Sequence, residues 1–393
     1  MTYRKILVFL HDNSVALQMS TYLDKERQKT ETFKLFIFLE KKNANKNLIK
    51  DIKFIFKNHD IKIFLVAVNK LKVFTIRNIM DWPFIYKSNN KNYKLINYYL
   101  KKKSIDINKF NEALYTNEIL SKYILYNFYN KKIFFFHGIG DYKIFIKQNI
   151  LKNLKNRLFY KLNKVFNHLI LTRSDDNFAC VYSSKIKFNN LNLNIIKLDL
   201  NIYKKKFKDF INFKNKNINF SPKINFTLLL LKFPRYKINN LTSEKSKFIE
   251  SYLNYLFDHI KKFFCTNKKL ENELIAIKTK GNISSGELKI IRRISNKFFK
   301  KYKVKIFLNK KDQFINAEFL GFSKYCKLII SNFSTTDFII KSINANKIIL
   351  SYNALVNKFE KKYKKINNKL FNPKFLDISK VIKKFNKFYL KLK

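Results

Sequence analysis

The sequence predicts an α/β protein of two doubly wound, mostly parallel-sheet domains facing a cleft, and three observations carry that expectation. Short apolar runs alternate with helical patterns along most of the chain. The alternation lapses once, in a polar stretch rich in Asn and Lys, and then restarts. The length of 393 residues exceeds the roughly 100–200 that one domain usually takes.

The elements follow in order. Ile6–Leu10 is a first buried strand, followed by the polar loop His11-Asp12-Asn13-Ser14 and an apolar-periodic helix from Val15, which is the opening of a βαβ unit. Leu35–Leu39 and Ile61–Val68 repeat the strand signal across the lysine-rich stretch Glu40–Asp60. Ile133–Phe136 is a fourth run, ending in His137-Gly138-Ile139-Gly140, and Leu169–Thr172 and Ile195–Leu198 are two further candidates. Lys204–Lys223 reads as the linker, closing with Ser221-Pro222. Beyond it come strand Phe226–Leu231, helix Ser243–Phe264, strand Leu274–Ile277, helix Glu287–Tyr302 and strands Val304–Leu308, Leu328–Ile330 and Ile348–Leu350. The expected division is 1–215, 222–355 and a basic helical tail over 356–393.

Hydrophobic residues make up 46% of the chain, enough for two cores, so an ordered chain is expected rather than disorder of the whole. Three widely spaced cysteines, Cys180, Cys265 and Cys326, make neither a disulfide framework nor a metal knuckle and fit a reducing compartment. No run reaches the roughly 18 apolar residues of a membrane-spanning helix, and the apolar run after Lys5 is too short for a secretory signal, so a cytoplasmic protein is expected. The formal charge of +55 attracts polyanions, whether nucleic acid, anionic lipid or acidic polysaccharide. Lys, Asn, Ile, Phe and Tyr share A/T-rich codons, so genome composition accounts for part of the lysine, and a single lysine run is usually a solvated face.

Open α/β sheets bind ligands beyond the carboxyl ends of their strands, which directs attention to the residues after each strand. His137-Gly138-Ile139-Gly140-Asp141 puts a titratable imidazole and a carboxylate on a glycine turn, a setting suited to proton transfer, against the alternative of a plain turn with an incidental histidine. Lys278-Thr279-Lys280-Gly281 ends a strand with two cations that can offset phosphate charge, although lysine is abundant everywhere. Ser331-Asn332-Phe333-Ser334-Thr335-Thr336 offers hydroxyls and helix amides to an anion, or is an ordinary Ser/Thr cap. Glu318, an acid in an apolar segment, can accept both hydroxyls of a ribose or sit on a helix face. His11, Asn13 and Ser14 line the first loop of the N-terminal domain. The Asp/Glu spacing suggests no metal, and no cofactor is expected.

The order of these segments, Lys278-Thr279-Lys280-Gly281, then Phe314-Ile315-Asn316-Ala317-Glu318, then Ser331 to Thr336, resembles the bacterial sialyltransferase and polysialyltransferase-like families of capsule and lipooligosaccharide synthesis. In those families a Lys-x-His-Pro strand end, a Pro-x-Glu segment and a Ser-Ser or Ser-Thr loop follow one another in the C-terminal half of a GT-B fold, two Rossmann-like domains around a cleft. Their N-terminal domain carries an acidic-acidic-Gly motif, which Phe136 to Tyr142 resembles, with His137 in the place of the acidic base and Lys280-Gly281 in the place of His-Pro. The resemblance implies a metal-independent glycosyltransferase that moves sialic acid or a related acidic sugar from a CMP-activated donor to a cell-surface glycan, in the cytoplasm or peripherally on the inner membrane face. It implies His137 or Asp141 as the base, Lys278, Lys280, Gly281, Ser334, Thr335 and Thr336 around the donor phosphate, and Glu318 on the nucleotide. The His-Gly pair and the Ser-Asn-Phe-Ser-Thr loop are also similar to the teichoic-acid polymerase family, whose donor is CDP-glycerol. A basic RNA- or ribosome-binding protein is the competing class; the spread of the lysines and the lack of an RNA-binding signature weigh against nucleic acid.

Overall fold

The computed structural model describes residues 4–27, 32–68, 82–116, 118–125, 128–136, 177–181, 194–217, 222–233, 242–266, 274–279, 283–307, 316–364 and 375–390. The chain divides into two compact units, Met1–Phe210 and Ile211–Lys393.

The first unit contains strands β1 (Arg4–Phe9), β2 (Phe33–Glu40), β3 (Asp60–Val66), β4 (Glu112–Tyr115), β5 (Lys131–Phe135), β6 (Asn177–Cys180) and β7 (Asn194–Lys197). They lie in the order β3-β2-β1-β4-β5-β6-β7, every pair parallel. Ile6, Leu7, Val8 and Phe9 are all buried, the continuous apolar run of a strand covered on both faces. Helices α1 (Asn13–Glu26), α2 (Lys46–Ile55), α3 (Trp82–Lys102) and α4 (Ile119–Ile124) connect these strands. Helix α1 is buried from Asn13 to Leu23 despite its polar residues, several of which find a partner. Gln18 accepts from the Val181 amide at 3.1 Å, Ser20 donates to the Ile55 carbonyl at 3.0 Å, and Thr21 donates to the Leu17 carbonyl at 2.8 Å.

Of the stretch expected as a linker, residues 204–217 belong to helix α5 (Leu200–Asn217), which runs through the division between the units. Tyr203, Phe207, Phe210 and Ile211 recur at helical spacing and are buried, an apolar stripe concealed in the sequence by the surrounding Lys and Asn. The Leu169–Thr172 strand candidate lies outside the described residues.

The second unit contains β8 (Phe226–Leu231), α6 (Thr242–Thr266), β9 (Leu274–Thr279), α7 (Ser285–Phe298), β10 (Lys303–Phe307), α8 (Ala317–Phe322), β11 (Cys326–Ser331), α9 (Thr335–Ile343), β12 (Ile349–Ser351), α10 (Asn353–Lys364), β13 (Leu376–Asp377) and α11 (Ile378–Leu390). The strand order is β10-β9-β8-β11-β12-β13, parallel except that β13 runs antiparallel to β12. Both units are therefore doubly wound α/β sheets of Rossmann-like type, as the alternation of strands and helices requires. The basic tail is part of the second unit: Phe359 packs in the core beside Phe248 and Tyr252, and Ile378 is fully buried. Its apolar residues supply one side of that core, which the dense lysines obscure.

Gly321 in α8 lies tight against β11 and α9. A Cβ there would collide with the Ile340 δ-methyl and come within 3.0 Å of that of Ile329. Gly321→Ala should cost about 1–3 kcal/mol through overpacking. Adding Ile340→Val removes the colliding methyl and should recover part of the loss; chemical denaturation of the two variants measures both effects.

Candidate active site

Each unit has one point at which the winding reverses: between β1 and β4 in the first, and between β8 and β11 in the second. Crevices at the carboxyl ends of such strand pairs are where open α/β sheets place their ligands. The described residues gather their chemistry at these two points.

At the first, β1 delivers His11 and Asp12, and β4 delivers Glu118 three residues beyond its last residue. His11 Nε2 lies 3.2 Å from Asp12 Oδ2, while His11 Nδ1 makes a close ion pair with Glu118 Oε1. Asp12 also caps α1, accepting from the Val15 amide at 2.9 Å, so it is fixed at the helix N-terminus. Asn13 donates to Asp51 Oδ2 at 2.8 Å and ties the loop to α2. Ser14 is buried in the first turn of α1. The His11 side chain remains 28% exposed, so the ring can meet a solute while Glu118, at 8%, cannot leave. Burial by itself lowers the imidazole pKa, but the Asp12 and Glu118 carboxylates outweigh it and hold His11 well above its ordinary value. The two carboxylates thus favour the protonated ring.

Glu112, the buried acid at the start of β4, has a different task. Arg4 donates to it at 2.8 Å, Tyr22 donates to it at 2.8 Å, and Lys131 lies at 3.3 Å, all at the amino ends of the strands. That network fastens β1, β4 and β5 together at the far edge of the sheet.

At the second point, β9 ends on Lys278 and Thr279, α8 presents Glu318, and β11 runs through Ser331-Asn332-Phe333 into α9. Lys278 is buried at 5% exposure; burial pushes its ammonium down to about 8, and the Glu318 carboxylate works against that shift. Thr336 donates to Glu318 Oε1 at 3.3 Å. Glu318 is therefore the acid that connects the β9 cation to the β11–α9 loop. Phe333 has φ 41°, a left-handed conformation that is strained for a bulky residue. Ser334 is the α9 N-cap, and the buried Asp337 accepts from the Ser334 amide at 2.7 Å and the Ser331 hydroxyl at 2.7 Å. Much of the loop's polarity is thus spent on its own cap. Thr335 and Thr336 are half-buried in the first turn of α9.

Buried polar atoms mark the same edge. Thr279 Oγ1, Asn316 Oδ1 and Asn332 Oδ1 have no hydrogen-bond partner among the described residues. They belong to the end of β9, the cap position before α8 and the end of β11. Unmet donors and acceptors of this kind need a ligand or ordered water. Two buried tyrosines brace the adjacent strand end: Tyr352 donates to the Leu230 carbonyl at 2.7 Å and accepts from the Lys232 amide at 3.1 Å, and Tyr252 donates to the Lys232 carbonyl at 3.0 Å.

His137, Gly138, Gly140 and Asp141 lie outside the described residues, as do Lys280 and Gly281. Of the remaining sequence candidates, the structure brings together Lys278, Glu318 and Thr336, with Ser334 and Thr335 in the adjoining loop. It places His11, Asn13 and Ser14 at the β1 end. Sequence reasoning missed Glu118 and gave no role to Asp12, Thr279, Asn316 and Asn332, although each stood in a segment it singled out. Recognising Glu112–Tyr115 as a strand would have pointed to Glu118. Among the described residues no group of three or more His, Cys, Asp or Glu side chains could hold a metal ion, and no helix is long and apolar enough to cross a membrane.

No protein-family model matches the chain, and no curated protein matches it. Several solved structures do. MnaA from S. aureus in a UDP co-structure is 12% identical, with coverage of 99% of this chain and 98% of that one and a TM-score of 0.44. UGT89C1 from Arabidopsis thaliana, complexed with UDP, is 9% identical over 99% and 95%, with a TM-score of 0.41. The GT-B domain of a sialyltransferase from Photobacterium damselae is 10% identical over 86% and 88%, with a TM-score of 0.37.

Proposed function

We propose that the chain is a glycosyltransferase that uses a nucleotide-activated sugar and binds the nucleotide at the carboxyl edge of the second sheet. The observation that carries this reading is the meeting of the buried Lys278 and the half-buried Glu318 and Thr336 with three unmet polar atoms near the β8/β11 reversal. A cation with a neighbouring carboxylate suits a nucleoside phosphate: ammonium toward phosphate, carboxylate toward ribose hydroxyls.

In the reaction, an acceptor oxygen bonds to the anomeric carbon as the bond from that carbon to the phosphate oxygen breaks. The electron pair leaves with the nucleotide, whose charge Lys278 and Lys280 offset, and the acceptor proton passes to a base. Among the described residues His11 is the group proposed as that base; both of its nitrogens face carboxylates, so it takes the proton only as the neutral ring with one of those contacts opened. The order of the Lys278, Glu318 and Ser334 segments supports CMP as the nucleotide and an acidic sugar as the group moved, through the resemblance that order carries.

Incubation of the full chain with an acceptor glycan and, separately, CMP-activated and UDP-activated sugars tests the reading through the nucleotide released. Release of CMP with glycan elongation is the expected result, and Lys280→Ala should weaken CMP binding in calorimetry. Release of UDP alone would overturn the donor assignment. No acceptor-dependent release from any donor would overturn the function.

A further inference from the structure

Helix α3 carries an unusual outward face. Its inner side is buried through Asn89, Asn92, Ile96 and Leu100, and Asn92 reaches the Tyr123 hydroxyl on α4 at 3.5 Å. On the opposite side Phe84, Lys87, Lys91, Leu95, Tyr98 and Lys102 recur at steps of three and four residues, one continuous stripe about 30 Å long. Phe84 is 70% exposed, Tyr98 66% and Leu95 46%. Such a stripe on a soluble protein normally carries acids and lysines together, yet no Asp or Glu occurs from Trp82 to Ile105, a span with six lysines.

We infer that this face of α3 docks on an anionic lipid surface. The aromatic and leucine side chains would enter the boundary between headgroups and acyl chains, and the lysines flanking them would meet lipid phosphates. Charge complementarity selects the occupant: a cationic face without a single acid needs an anionic partner, and exposed Leu95 and Phe84 need an apolar one. A polynucleotide answers only the first need, because leucine has no ring for a base to stack on. The inference is independent of the donor site and stands or falls separately from the catalytic reading.

Co-sedimentation of the full chain with phosphatidylcholine vesicles, alone or mixed with phosphatidylglycerol, tests it. The chain should bind the mixed vesicles. The uncharged triple variant Phe84→Ser/Leu95→Ser/Tyr98→Ser should bind them roughly tenfold or more weakly, from lost apolar burial. Lys87→Glu/Lys91→Glu/Lys102→Glu provides a second variant. Lys297→Glu/Lys300→Glu/Lys301→Glu, exposed positions in the second unit, makes the same charge change elsewhere and should retain most of the binding. Circular dichroism verifies that each variant is folded. Unchanged binding by the serine variant, or equal losses from the two glutamate sets, would overturn the inference by reducing the binding to net charge. Loss of homopolymeric RNA binding in the serine variant with vesicle binding intact would overturn it in favour of nucleic acid.

Discussion

Replacing His11 with alanine should lower kcat by roughly 10²–10⁴-fold and leave nucleotide affinity nearly unchanged. The ring is half-enclosed at the β1 end, and its proton affinity is set by Asp12 on one side and Glu118 on the other. Because those carboxylates hold its pKa above the ordinary value, the neutral form that can accept a proton is scarce at neutral pH. The rate should therefore rise with pH through a limb above about 6.5, the ordinary histidine value. Glu118→Gln removes one of the charges that raise the pKa, so that limb should shift toward acid while the maximal rate falls, a split that loss of packing alone would not produce. The same linkage has a stability arm. A group whose folded pKa is raised stabilises the fold fully below its unfolded value, and that contribution fades as pH rises through the folded value. Full activity in His11→Ala together with a loss in His137→Ala would move the base to His137.

Substituting Lys278 should weaken nucleotide binding by roughly 10–100-fold, the worth of a charge-assisted hydrogen bond to phosphate. A pH signature accompanies this loss. Burial holds the ammonium down to about 8, so wild-type affinity should decline as pH passes through that region and Lys278 becomes neutral. Burial also lowers the Lys347 ammonium and neighbouring carboxylates raise His11, so the slope is assigned to Lys278 by substitution rather than by its pH range alone. Lys278→Met preserves the stem volume and should abolish the slope along with the affinity. Glu318→Gln should move the slope to lower pH, since the carboxylate is the group that raises Lys278. Calorimetric titrations of CMP from pH 6.5 to 9 would reveal each effect, with pH 9 chosen as roughly one unit beyond the expected transition.

The two sheets were legible where a strand is long and wholly apolar. Phe226–Leu231 has the same bounds in sequence and structure because six buried apolar or small residues leave no doubt about period or covering. The β4 strand escaped notice: Glu112-Ala113-Leu114-Tyr115 is short and begins with an acid, and that acid is tolerated only through Arg4, Tyr22 and Lys131, which are distant in sequence. Missing β4 hid Glu118, the partner that gives His11 its character. Lys278 and Glu318 were visible as strand-end and helix-start residues, but their pairing depends on β9 and α8 converging, which no local pattern announces. The loop from Ser331 to Thr336 was read both as a ligand loop and as a cap. The structure shows the capping bonds to the buried Asp337, which do not decide between the two readings.

Backbone hydrogen exchange with and without CMP tests the central claim most directly. If the carboxyl edge of the second sheet is the nucleotide site, CMP should slow exchange of the amides from Lys278 to Thr279 and from Asn332 to Thr336. Amides beside Glu112, at the amino edge of the first sheet, should be unaffected. Protection confined to any other surface, or none at saturating nucleotide, would contradict the account.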